Sequence, residues 1–396
     1  MTATQKKAAI AAAVLIALVL AYGTYQTSLQ TSIQSSLFGG NECPSWSCGA
    51  NSAEVVGYPL HLDGEPNDDD YRLTGFDTRN SAGTVTRYAL DGARFASQDG
   101  QVAVLDVRDS RFVLLGPDGA AKTGEPVSAL LVGRGHRMSK KDFEIPVIEV
   151  TSVQSWASAP GQEPRQIPAY LLENHLPGST ASKLCPSGKR WAEPGEAPAI
   201  AQVARLRWAD RSHHAVLIKG ERYDSDTVRV TPGQRWVTLA CAGSALAKMK
   251  LMGYDPETPR GDAFFTTPEQ RQATIKMITA TYCEVDGKSP QFTRDGTPLA
   301  WKNRAGWLEP PWSLVRNVEA RWNAEGATCL EEPRLVSRDK VVNACGELPR
   351  CPQLDASSQD PPTYPIGDNE WVTFTRDGST TAKGTGTEQD ELADNN

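Results

Sequence analysis

The sequence predicts an α+β protein: a β-rich N-terminal part, built as a small sandwich or barrel, followed by a disulfide-stapled α+β part with two packed helices. Three observations predict it. Short β-branched runs separated by Asp-Gly turns fill the stretch from residue 43 to 160. Two helix signatures stand close together between residues 240 and 282. Eight cysteines, an even number, all lie beyond residue 42.

The first segment is residues 1–23. Lys6-Lys7 precede an apolar run from Ala8 to Ala21, the charged and apolar regions of an export signal. Small residues at Ala21 and Gly23 suit cleavage after Gly23, and an uncleaved anchor with the lysines inside is the other reading. Residues 24–42 are Ser/Thr/Gln-rich and read as a tether.

Residues 43–160 carry the strand signals. Gln101–Val107, Arg111–Leu115, Ala129–Val132 and Pro146–Val150 are strand candidates, with turns at Asp63-Gly64, Asp91-Gly92, Asp99-Gly100 and Asp118-Gly119. Residues 161–351 form the α+β part. It opens with a Pro-rich connection holding Cys185, then strands at Ile200–Arg207, Ala215–Ile218 and Thr227–Val230. Ala240–Met252 is rich in helix formers, and Gly253 is a natural cap. A second helix starts with Thr267, Pro268 and Gln270, a T-x-x-Q capping box with Pro at the first helical position, and runs to about Tyr282. Residues 352–396 are polar and acidic and read as a disordered tail, with a short strand at Trp371–Phe374.

Composition excludes some functions. The net charge of -7 and the absence of a basic run argue against a nucleic-acid partner. No phosphate-binding loop, dinucleotide fingerprint, G-x-S-x-G or H-E-x-x-H motif occurs, so no cofactor is expected. In an exported chain, Cys43, Cys48, Cys185, Cys241, Cys283, Cys329, Cys345 and Cys351 are disulfide candidates. Cys43/Cys48 and Cys345/Cys351 are close enough to pair locally, and each is also free to reach far.

Thiol catalysis would need a base. His213-His214 with Asp210 or Asp224 is the conspicuous choice, and Cys241, near a helix start, suits a thiolate better than Cys283 at a helix end. The cysteine spacings do not form the paired C-x₂₋₄-C set that zinc needs, and His61 and His136 lack a partner at helical spacing. The acidic loop Asp63–Asp70 offers oxygens to Ca²⁺ but not in EF-hand order, so it reads as a solvated turn and no metal is expected. Trp301, Trp307, Trp312 and Trp322 suit a groove for sugar or peptide, or a core.

Several segments together resemble the ADYC-domain family of exported bacterial proteins. They are Cys48–Ser52, Leu62–Asn67, Leu239–Lys248 with Gly253-Tyr254, the stretch Ala280-Thr281-Tyr282-Cys283, Thr293–Thr297, and Val318–Cys329. Order and rough spacing hold across residues 43–335. The family pattern has Asp where this chain has Thr281. It also has Cys at the positions of Met249 and Thr274. Loss of both implies that 249 and 274 are neighbours on antiparallel helices. Cys185, Cys241, Cys283 and Cys329 match family cysteines, and Cys283 is expected to tie its helix end to Cys241, Cys185 or Cys329. The resemblance carries no activity.

The chain therefore reads as a secreted or envelope protein, a structural or binding module in preference to an enzyme. Its partner would be an envelope or extracellular ligand, with membrane attachment through residues 8–23 if that segment is uncleaved. The alternatives are an envelope hydrolase using a thiol or paired carboxylates, and a calcium-dependent adhesion module.

Overall fold

The computed structural model describes residues 55, 57–64, 71–79, 82–92, 94–121, 125–133, 143–154, 165–174, 182–183, 185, 214–257, 259–260, 264–293, 300–303, 306–308, 315–352 and 366–376. The N-terminal segment, the tether, Cys43, Cys48, His136, His213, Asp210, Trp312 and the strand expected at 200–207 lie outside them.

Strands β1 (Gly57–His61), β2 (Tyr71–Arg79), β3 (Val85–Asp91), β4 (Arg94–Ser97), β5 (Val102–Arg108), β6 (Arg111–Leu115), β7 (Glu125–Gly133), β8 (Phe143–Gln154), β9 (Gln166–Asn174), β10 (Ser182–Lys183), β11 (His214–Tyr223) and β12 (Val230–Cys241) form one large sheet. Its order is β1-β12-β11-β9-β8-β7-β2-β3-β4-β5-β6, with β10 beside β9. The fold is α+β, as the sequence predicts, but the large sheet is not confined to residues 43–160. β8 and β9 pair antiparallel across residue 160, so no boundary divides the sheet there.

The sheet curls on itself. The β5–β6 hairpin returns to the opposite end of the strand order. Tyr170 Oη donates to the Ser110 carbonyl (3.4 Å) and accepts from Phe112 N–H (3.3 Å). Lys219 Nζ donates to the Val107 carbonyl (2.9 Å) and Arg235 Nη2 to the Leu105 carbonyl (3.2 Å). Curling follows from strand twist, and here it encloses an apolar interior including Leu73, Phe76, Phe95, Leu105, Val107, Leu217 and Leu239.

The run Ala215-Val216-Leu217-Ile218 is apolar on both faces because it serves two cores. Ala215 and Leu217 point into the curled sheet, while Val216 and Ile218 meet the helices. Helix α1 (Ala245–Leu251) and helix α2 (Pro268–Thr279) pack on each other, and both meet β12. Strands β13 (Pro259–Arg260) and β14 (Phe264–Phe265) pair between them in sequence.

A five-stranded sheet follows: β15 (Ala300–Asn303), β16 (Gly306–Leu308), β17 (Val315–Asn323), β18 (Gly326–Leu330) and β19 (Trp371–Arg376), ordered β16-β15-β19-β17-β18. Helix α3 (Arg338–Cys345) lies between β18 and β19 in the chain. The strand at 371–376 is thus the centre of a sheet, where the sequence suggests only a short strand in a polar tail. Trp371, Val372 and Phe374 are buried on both of its faces. The surrounding polar composition hid a strand whose partners are more than 40 residues earlier in the chain.

Local signals correct three further expectations. Residues 240 and 241 end β12, and α1 starts only after Ser244, whose side chain accepts from Ala247 N–H. Residues 227–229 are not strand but lie in the connection from β11 to β12, whose turn is at 225–227, where Asp224 Oδ1 accepts from the N–H groups of Asp226 and Thr227 and from the Thr227 hydroxyl. α2 stops at Thr279, before Cys283, with Ala280 left-handed (φ 51°) and Thr281 N–H bonded to the Lys276 carbonyl. The starting signal of α2 is as expected: Thr267 and Gln270 form a complete capping box. Gly253 completes a Schellman closure of α1, with Tyr254 N–H on the Met249 carbonyl.

Candidate functional site

Chemistry in this chain concentrates where the curled sheet meets the helices. β11 brings Lys219, Glu221 and Tyr223 to the seam, α1 brings Lys250, the following loop brings Asp255 and Glu257, and α2 brings Arg271. A β-bulge between Lys219 and Glu221 leaves Gly220 (φ 91°) against Pro256, which lets the loop lie on the strand.

Glu221 is fully buried. Its Oε1 accepts from Arg271 Nε (2.7 Å) and from Nη2, and its Oε2 from Tyr223 Oη (2.5 Å). Arg271 Nη1 donates to Thr266 Oγ1 (3.0 Å) and to the Thr266 carbonyl. Lys250 Nζ pairs with Asp255 Oδ1 (2.9 Å), which also accepts Glu257 N–H (3.0 Å). Lys219 Nζ sits 2.7 Å from Asp106 Oδ1 of β5. Buried charges must be paired in this way because each unpaired one costs several kcal/mol of desolvation, on the order of 3–5.

Glu257 differs from its neighbours. Its Oε2 is buried and accepts no hydrogen bond among the described residues. Burial pushes its carboxyl above the ordinary carboxylate range, and the Lys250 charge only partly opposes that. Asp106 moves the other way. Burial raises it, and the hydrogen bonds from Lys219 and Val107 N–H together with the charges of Lys219 and Arg235 more than offset burial. The two carboxyls are therefore shifted in opposite directions by their surroundings.

The second concentration is Ala280-Thr281-Tyr282-Cys283. Tyr282 is buried, stacks on Trp322 with ring centroids 4.9 Å apart, and donates to Glu319 Oε1 (2.6 Å). The same oxygen accepts from Arg334 Nε (2.7 Å), and the guanidinium lies 5.6 Å from the Trp322 ring. Thr281, at the position of the family's Asp, is fully buried with its hydroxyl 2.8 Å from that of Thr279. The Tyr282 carbonyl accepts Ala327 N–H (2.9 Å) on the outer edge of β18. This approach needs Gly326, since a Cβ there would stand 2.6 Å from the Tyr282 oxygen. The stretch joins α2 to the second sheet and presents no reacting group.

The cysteines form three disulfides among the described residues: Cys185–Cys241, Cys283–Cys345 and Cys329–Cys351. Cys283 thus pairs with Cys345, not with Cys241, Cys185 or Cys329, and Cys345 does not pair with Cys351. The reason is placement: Cys345 ends α3, which folds back to within 5.6 Å (Cα–Cα) of the residue after Tyr282. Both thiols considered as nucleophiles are consumed in disulfides.

The other sequence candidates disperse. His214 is buried at the start of β11, and Asp224 is occupied in its turn, so they form no acid–base pair. His61 lies 3.9 Å from Asp63, whose Oδ1 is held by Arg235 Nε (2.9 Å). No group of three metal-ligating side chains occurs among the described residues. Trp322 and Trp301 are core residues, so the aromatic groove is not formed by them. Thr274 donates its hydroxyl to the Gln270 carbonyl (2.6 Å) and accepts from Trp371 Nε1 (2.9 Å), so this position faces the second sheet. The residues of the seam had no motif to reveal them. The available signal was Lys248 and Lys250 among the apolar residues of α1, since a buried cation implies a buried partner.

Neither a curated protein nor a solved structure matches the chain. The ADYC domain pattern matches residues 131–336, just over half of the chain, from the end of β7 to the residues before α3. The match contains Cys185–Cys241 whole and stops short of Cys345 and Cys351, the partners of Cys283 and Cys329. On that match, this chain belongs to the ADYC domain family.

Proposed function

We propose that this protein is exported and acts as a disulfide-stapled structural or binding module in the cell envelope or outside the cell. The observation that carries this is the fate of the cysteines. Six of them close bonds over sequence separations of 56, 62 and 22 residues, a use of cysteine that belongs to oxidising compartments. The Lys6-Lys7 and apolar run support export, either as a cleaved signal or as an anchor. Among the described residues, no helix is long and apolar enough to cross a membrane. The ligand class would be an envelope or extracellular component. A thiol titration of the purified chain in denaturant without reductant tests the reading. It should find no reactive cysteine, and free thiols at Cys241 or Cys283 would overturn it.

A second reading has one observation in its favour. Glu257 and Asp106, whose carboxyls are shifted in opposite directions in one seam, suit a hydrolase using two carboxylates. Turnover of peptide or glycan substrates that disappears in both Glu257→Gln and Asp106→Asn would establish it. The calcium-dependent adhesion reading is weaker, because Asp63 of the acidic loop is engaged by Arg235.

A further inference from the structure

The three disulfides differ in their surroundings. Cys185 and Cys241 are both fully buried, and Cys329 and Cys351 are 5% and 4% exposed. Cys283 and Cys345 are only half-buried. What the half-buried bond holds also differs. It fastens the end of α3, an eight-residue helix in which Val341 is the one buried residue. A helix this short does not persist in water by itself, where about 12–15 residues are marginal. It is also held by the Ser337 cap at its start, by Val341 in the apolar core, and by Arg338, which reaches the carbonyls of Leu330 and Leu348 and the carboxylate of Glu347.

The whole of α3 lies inside the loop closed by Cys329–Cys351. That bond is buried, so cutting Cys283–Cys345 leaves α3 tethered at both ends. The strap also starts where the family match stops, at residue 336. It reaches β18 through Arg338 on the Leu330 carbonyl, and the outer edge of β18 is covered where Leu330 N–H donates to the Pro349 carbonyl (2.8 Å) and Ala327 N–H to the Tyr282 carbonyl (2.9 Å). The two segments covering that edge are the two that Cys283–Cys345 and Cys329–Cys351 pin down. An uncovered strand edge is a template for pairing with another chain.

We propose that Cys283–Cys345 is a reducible latch, and that its opening turns residues 337–348 from a fixed strap into a tethered flap beside the edge of β18. The reductant is a dithiol. One of its thiolates attacks a sulfur of the bond, giving a mixed disulfide and releasing the other cysteine as thiolate. Its second thiol then displaces the remaining cysteine. The reductant leaves as a disulfide, two electrons pass to the protein, and the two new thiolates take protons from solvent.

The test uses the oxidised full chain, so it does not depend on where the protein resides. Dithiothreitol is added in graded amounts under native conditions, samples are quenched with a maleimide, and labelled cysteines are mapped by mass spectrometry. Cys283 and Cys345 should label about tenfold or more ahead of Cys185, Cys241, Cys329 and Cys351, since exchange depends on access. Amide exchange should rise in residues 338–345 at the same step, with α2 and the large sheet still protected. Labelling of a buried pair first, loss of all protection together, or unchanged exchange in α3 would each overturn the proposal. The double variant Cys283→Ser, Cys345→Ser gives a second check. It should fold and show the open α3 without reductant, and failure to fold would mean that the bond is a staple of the fold, not a latch.

Discussion

The interior of the curled sheet and the layer of helices behind it share β11 and β12, yet they are built on different principles. The interior is apolar, and among the described residues its covalent tie is the buried Cys185–Cys241. The helical layer buries Glu221, Lys248, Lys250, Asp255, Arg271, Glu319 and Arg334 among its apolar side chains. The large sheet can bury area without specifying which face meets which. The helical layer is assembled from short pieces, with α1 of 7 residues, and a set of directional ion pairs fixes how they meet. The difference teaches that stability and placement are supplied by separate groups here.

The strongest way to break this comparison is to remove one partner of a buried pair. Arg334→Met leaves Glu319 buried without its cation and should cost about 3–5 kcal/mol in urea unfolding. Adding Glu319→Leu should recover much of that loss. If the double variant is as unstable as the single one, the pair contributes stability and not just placement. In the apolar interior, Leu105→Ala should cost about 3 kcal/mol through lost burial and a cavity, with no change in the ion-pair layer.

A smaller effect separates the joining stretch from an ordinary turn. Gly326→Ala should cost about 2 kcal/mol, from the positive φ and the clash with the Tyr282 carbonyl, and should raise amide exchange at Ala327. Gly119→Ala, with open space around its Cβ, should cost only about 1 kcal/mol. Equal losses would show that the approach of Tyr282 to β18 is slack.

The smallest effect is a slope with pH. Glu257 and Glu221 hold their protons more tightly folded than unfolded. Their contribution is therefore fully present below the unfolded carboxyl range and is lost as pH rises through the folded values. Glu257→Gln should flatten the fall of melting temperature with rising pH, leaving the part due to Glu221. An unchanged slope would mean that Glu257 is not desolvated.

Much of the large sheet was legible because its pattern is local. Arg111–Leu115 is a strand with the bounds its apolar run suggests, and the capping box at Thr267 starts α2 where expected. The candidate site was hardly legible. Little adjacent to Glu257 distinguishes it among 48 acidic residues, because its character comes first from burial and then from charges that include Lys250, Lys219 and Asp106 on other elements. The family stretch was visible as a motif, but its role at the edge of β18 depends on Gly326, far along the chain.

The sequence by itself determined the α+β class, the caps and turns, the family, and cysteines suited to an oxidising compartment. These follow from spacing along the chain and from residue chemistry, which need no partner to read. Tertiary structure alone decided which cysteines meet, that residues 371–376 are central and not peripheral, and which charges are buried together. Those depend on distances between segments tens of residues apart, and chain closure over such spans leaves no local signature.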